Sequence, residues 1–190
     1  MFTSKRNQVL NLCRVALLVA MYVLLGSYMV IRHPAIEISF KSLPVVVGAL
    51  LFGPASGALV ALLGEFLAQL LAWGLQPNTI LWVLPPVANG LVVGAFAAHF
   101  WKTGRPLEKR VVLCYGVALL GSVATSCVTT VSLWLDSLLY GYYTFALVFG
   151  AALIRIAKDF VVVAIITTVA IPLTQLLRRT GVAALGEQSK

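Results

Sequence analysis

Charge is scarce in this chain. Charged residues make up 11% of its 190 positions, against about a quarter in ordinary globular domains. Between Ser42 and Ala98 the only ionisable side chain is Glu65, set among Leu, Val, Ala, Gly and aromatics. A soluble domain cannot hide that much apolar surface in one stretch. Histidine is almost absent: His33 and His99 lie far apart, with no HExxH and no paired acidic motif, which argues against an intramembrane metalloprotease. Cys13, Cys114 and Cys127 are odd in number, widely spaced and embedded in apolar runs. They fit neither a disulfide framework nor a metal pattern. No glycine-rich loop ends in Lys-Ser or Lys-Thr, so the chain does not cradle ATP in that manner. No serine and histidine share a plausible depth. These absences speak against an enzyme, a metal centre and a bound cofactor.

What the chain does have is apolar sequence, 61% of it, with a mean hydropathy of +0.98. A bilayer-crossing helix needs about 20 mainly apolar residues. Spans are expected at about 9–31, 43–52, 55–73, 80–100, 111–135 and 144–177, forming a single domain over 1–190. The predicted fold is all-α: an integral membrane bundle of six transmembrane helices. Gly53-Pro54 is a strong turn signal and splits the second span from the third. Pro85-Pro86 predicts a kink near the outer end of the fourth. The sixth is longer than a bilayer requires and is expected to tilt or protrude. The first span follows Lys5-Arg6 but is long for a signal peptide, with no clear cleavage site after it.

The formal charge of +8 first suggests nucleic acid, but its placement explains it otherwise. Lys5, Arg6, Arg14, Lys102, Arg105, Lys109, Arg110, Arg178, Arg179 and Lys190 all fall on one side of these spans. The opposite loops carry only Arg32 and Lys41. The positive-inside rule then places both termini in the cytoplasm, and no basic patch remains for nucleic acid.

Ionisable residues inside a membrane are functional by default. Arg155, Lys158 and Asp159 lie well inside the sixth span; Glu65 and Gln69 share a face of the third at i and i+4; Asn89 lies mid-depth in the fourth. Trp82, Trp134, Tyr140, Tyr142 and Tyr143 lie near the outer boundary. Together they describe a cavity in the outer half, polar at its base and aromatic at its mouth, suited to a ligand with a ring and ionisable groups. A second reading of the same residues is structural. Arg155 pairs with Asp159 and Lys158 with Glu65, the four charges cancel, and the aromatics form an interfacial belt. Both readings stand open on sequence. So do two rival functions: a self-sufficient carrier or channel using Glu65 and Asp159 as ion sites, and a membrane enzyme or scaffold. No clear internal repeat is present, against an inverted-repeat carrier.

Ala16 and Ala20 form a small-xxx-small pair on the first span, and Gly53/Gly57 and Gly90/Gly94 are read as packing within the bundle. Ile38-Ser39-Phe40-Lys41-Ser42-Leu43-Pro44 leading into Leu51-Phe52-Gly53-Pro54, and Gly57-Ala58-Leu59-Val60 running on to Gly64-Glu65, resemble the substrate-binding (S) components of energy-coupling factor vitamin transporters. The resemblance covers nearly the whole chain, and the Ala16/Ala20 pair matches that family's alanine motif. Trp134 to Gly141 and Arg155-Ile156-Ala157-Lys158 look most like its folate branch. The chain departs from that branch at Thr129 to Ser132, where asparagine is usual, and lacks a proline before Arg155. The resemblance implies a subunit that captures a folate-like vitamin, or else riboflavin, pantothenate or pyridoxine. It implies docking through Ala16 and Ala20 on a transmembrane coupling protein that carries two cytoplasmic ATPases. Arg32, Glu37, Phe40 and Lys41 would belong to a lid loop. Arg155 and Lys158 would meet the vitamin's carboxylates; Glu65, Gln69 and Asn89 would meet a ring edge, with Trp82 or Trp134 stacked on it and Tyr140 nearby.

Overall fold

The computed structural model describes residues 2–33, 36–104 and 107–179. Six α-helices carry the fold: α1 Phe2–Tyr28, α2 Ser42–Phe52, α3 Pro54–Trp73, α4 Thr79–Lys102, α5 Val111–Leu139 and α6 Ala151–Arg179. A single π-helical turn, Ala146–Gly150, leads into α6. All but α2 belong to stretches long and apolar enough to cross a membrane, with α6 counted together with its π turn. A 3-10 turn, Leu107–Lys109, precedes α5, and a two-stranded antiparallel hairpin, β1 Val30–His33 and β2 Ile36–Ser39, follows α1. Its register sets Val30 opposite Ser39 and Arg32 opposite Glu37.

The short helix α2 is the hub. Every residue from Pro44 to Leu51 is buried, as expected of a helix that is apolar all round. It packs against α1, α3, α4 and α6. Val15, Leu18, Val19 and Tyr22 of α1, Val60 and Ala61 of α3, Val93 and Ala97 of α4, and Val162 and Ile166 of α6 complete the core around it. Many outward positions on the long helices are exposed Leu, Val, Ile and Phe, the surface that lipid covers.

Turn chemistry fixes how the hub enters. Gly53 has φ 88°, a conformation that costs glycine little, and Pro54 opens α3 at a position needing no backbone donor. Glycine also lets α3 and α4 touch backbone to backbone: a Cβ on Gly90 would lie 2.6 Å from the Gly57 carbonyl.

At the end of the bundle opposite the hairpin, Arg178 Nε lies 2.5 Å from buried Glu108. Its guanidinium sits 5.2 Å over the Trp101 ring. Arg14 stacks 5.4 Å over Phe52 at the same end. The start of α1 and the end of α6 therefore share one end.

Two features differ from the sequence reading. The polar loop after α1 folds into the hairpin. α5 runs on through Asp136 to Leu139, the Asp136 carboxylate accepting from Asn78 and Tyr142 outside the helix. As the span bounds predict, Pro85 and Pro86 lie inside α4, which continues past them.

Candidate functional site

At the hairpin end the helix termini splay around a cavity of about 760 Å³, within the usual range for small-molecule sites. Its wall comes from Gly26 of α1, Lys41 before α2, Glu65, Gln69 and Trp73 of α3, Gln76 and Asn78 of the following turn, and Thr79 and Trp82 of α4. At its base the Glu65 carboxylate, 7% exposed, is held from three sides. The Tyr22 hydroxyl donates to Oε2 at 2.5 Å, Lys41 Nζ donates to the same oxygen at 2.9 Å, and Gln69 Nε2 donates to Oε1 at 3.2 Å. A carboxylate among membrane helices demands such partners. With one cation, one carboxylate, three amides, a hydroxyl and two indoles, the described lining suits a flat ring with hydrogen-bonding edges.

The predicted site residues divide. Glu65, Gln69 and Trp82 line the cavity, and Lys41 joins them from the lid loop. Phe40 is half-buried and packs against the core. Arg32 and Glu37 are placed by backbone only, as partners in the hairpin register. Asn89, Trp134, Tyr140, Arg155 and Lys158 are not part of the described lining. Trp134 and Tyr140 are exposed.

The predicted charge network is corrected as well. Lys158 does not pair with Glu65; its Nζ lies 3.4 Å from the neighbouring Asp159, while Lys41 takes Glu65. Nor does Arg155 close on Asp159. Its Nη2 donates to the Val148 carbonyl at 2.9 Å and to Thr130 Oγ1 at 3.3 Å, so it ties α6 to α5 and to the π turn. Asp159 accepts from Ser126 Oγ at 2.7 Å. Asn89 and Asp159 instead face a separate chamber of about 60 Å³, shared with Ser122, Thr125 and Thr167. It is polar and roomy enough for water.

Sequence reasoning missed Tyr22, Trp73, Gln76, Asn78 and Thr79. Tyr22 was legible in part: Val15, Leu18, Val19 and Tyr22 follow helical spacing, which puts Tyr22 on the inward face. The other four lie in or beside a short polar turn whose path is not set by periodicity.

A bundle of apolar helices around one enclosed hub, with a polar cavity at its hairpin end, defines a membrane protein. The family described as ECF-type riboflavin transporter, S component, matches residues 6–179, and the chain belongs to it. It is thus a multi-pass protein of the bacterial plasma membrane, a vitamin-transport subunit and not an enzyme. No curated protein matches it. Among solved structures it is similar to FolT bound with folic acid, at TM-score 0.60 and 19% identity over 87% of this chain and 94% of that one. ThiT from Listeria monocytogenes matches at TM-score 0.60 and 21% identity, over 94% and 98%. The S component of a bacterial ECF transporter matches at 0.55 and 19%, over 91% and 95%.

Proposed function

We propose that the chain captures a folate-type vitamin at its hairpin end and hands it to a transmembrane coupling protein carrying two cytoplasmic ATPases. The observation that carries this reading is the cavity with Glu65 at its base. A pterin presents two adjacent N–H donors, an amine and a ring N–H, along one edge. A carboxylate is the acceptor-only group that complements such an edge. Tyr22, Lys41 and Gln69 fix the carboxylate in advance, which reduces the ordering cost of binding. Trp73 and Trp82 offer faces for the ring. The similarity to a folic acid-bound fold and the Trp134–Gly141 and Arg155–Lys158 segments support the same choice. In this reading Lys41 stays on Glu65 beside the pterin, and the tail runs toward the mouth without contact to Arg155 and Lys158.

Riboflavin is the second reading, favoured by the matching family. Its imide edge alternates acceptor, donor and acceptor, which suits the amides of Gln69, Gln76 and Asn78 better than a carboxylate. Clustering of Arg14, Lys102, Lys109, Arg110, Arg178 and Arg179 away from the hairpin supports cytoplasmic termini and an outward-facing cavity.

Titrating folic acid and riboflavin into the full chain in nanodiscs, followed by intrinsic Trp and by flavin fluorescence, tests the choice. We expect saturable quenching by folic acid at nanomolar concentration. Saturation by riboflavin alone transfers the assignment, and silence from both, with folded protein, removes it.

A further inference from the structure

We propose that Asp136 is a positioning residue for the capture cavity, acting through Asn78 and joining the α5–α6 loop to the cavity wall. This rests on the reading of the cavity as the vitamin site. Asp136 does not line the cavity. It lies in the last turn of α5, 4% exposed, and its two oxygens face different elements. Oδ1 accepts from Asn78 Nδ2 at 2.9 Å, and Asn78 is part of the cavity wall. Oδ2 accepts from the hydroxyl of Tyr142 in the α5–α6 loop. Tyr142 is itself folded back, its backbone N–H donating to the Ser137 carbonyl at 3.1 Å.

The wall turn is otherwise closed on itself. Gln76 N–H donates to Thr79 Oγ1 at 3.2 Å, Thr79 N–H to the Gln76 carbonyl at 3.1 Å, and Leu81 N–H to the Asn78 carbonyl at 2.9 Å. The Asn78 side chain is thus the arm that reaches from this turn to α5. Asp136 forms no ion pair among the described residues. A buried carboxylate with only neutral partners is expensive as packing. Its chemical advantage is two acceptor oxygens for two donors that arrive from different loops, whereas an asparagine supplies one. The Tyr142 phenol reflects the contact: its hydrogen bond to Asp136, with desolvation and the carboxylate charge, pushes it up to about 12.

Two measurements on the full chain in nanodiscs test the role. The first needs no vitamin. Hydrogen–deuterium exchange of residues 74–79 should rise about threefold or more in Tyr142→Phe and in Asp136→Asn, and Tyr142→Phe should add nothing in the Asp136→Asn background. Unchanged exchange at 74–79 in both single variants, or simple additivity, overturns the tie. The second is the Kd for folic acid and riboflavin in Asp136→Asn, Asn78→Ala and the double variant. We expect each single change to weaken binding about tenfold, in line with losing a hydrogen bond to a charged group, and the double to be no weaker than the weaker single. Wild-type affinity in Asp136→Asn alongside weakened Asn78→Ala overturns the positioning role. Should Asp136→Asn fail to fold, Tyr142→Phe keeps the carboxylate and is read in both assays. The cavity reading fails differently, as Glu65→Gln binding both probes like the wild type, or as a wild type that binds neither. Either outcome removes the positioning role and leaves the exchange coupling as a purely structural tie.

Discussion

Glu65 keeps its place in an apolar helix because three donors from α1, the α2 entry and α3 converge on it. Removing one partner of a buried ion pair costs about 3–5 kcal/mol, and the half-buried state of Lys41 brings the figure toward the lower end. Glu65→Gln keeps the shape and removes the charge. We expect it to weaken vitamin binding more than tenfold and to lower the melting temperature. Arg155→Ala should behave in the opposite sense: binding within about threefold of wild type, with lower stability from the loosened α5–α6 seam. Equal losses of affinity in the two variants would return Arg155 to the site. That Glu65 stands alone was legible, since no other ionisable group lies between Ser42 and Ala98. Its partner was not. Depth can be read from sequence, but which helices are neighbours cannot, and α2 packs against both α3 and α6. Lys41, read as a lid residue, reaches Glu65 across the top of α2.

Close helix contact was legible as an element-level pattern. The Gly53/Gly57 and Gly90/Gly94 pairs were expected to pack within the bundle, and they form the α3–α4 seam. Beside Gly57 a Cβ would also meet Ala49 at 2.7 Å, and beside Gly94 it would meet Pro54 Cα at 2.4 Å. These neighbours are backbone or core atoms with no freedom to swing aside, and overpacking of this kind costs about 1–3 kcal/mol. Gly90→Ala should therefore lower the melting temperature and the folded yield in detergent. Gly116→Ala, with nothing within 4 Å of its added Cβ, should leave both unchanged or slightly raised. Matching stability in the two variants would contradict the seam. The hairpin, by contrast, left little trace in the sequence. Four-residue strands are too short for alternation to separate them from a polar loop, and their pairing depends on α1 and α2 holding the ends together. The π turn before α6 was equally hidden, because an apolar run reads as uninterrupted helix.

Across the whole molecule, α1 has two faces with different surroundings. Val15, Leu18, Val19 and Tyr22 point into the core, while Ala16 and Ala20 are exposed beside Leu12, Leu17 and Leu24. Helices in lipid gain little from apolar burial alone, so a small-residue strip that lets a partner backbone approach closely is what favours docking. The cavity touches α1 at Gly26, and its Glu65 is braced by Tyr22, both away from that strip. We propose that this strip is the docking face, which makes capture and docking separable on one helix. Ala16→Trp or Ala20→Trp should leave the Kd for the bound vitamin within about twofold. In proteoliposomes with the coupling protein and its ATPases, the same variants should abolish ATP-driven uptake, since an indole holds the partner helix several ångströms off. Uptake at the wild-type rate in both would move the docking surface to another face of the bundle. Loss of binding together with uptake would mean that α1 transmits strain into the cavity through Tyr22, and that the two tasks are coupled after all.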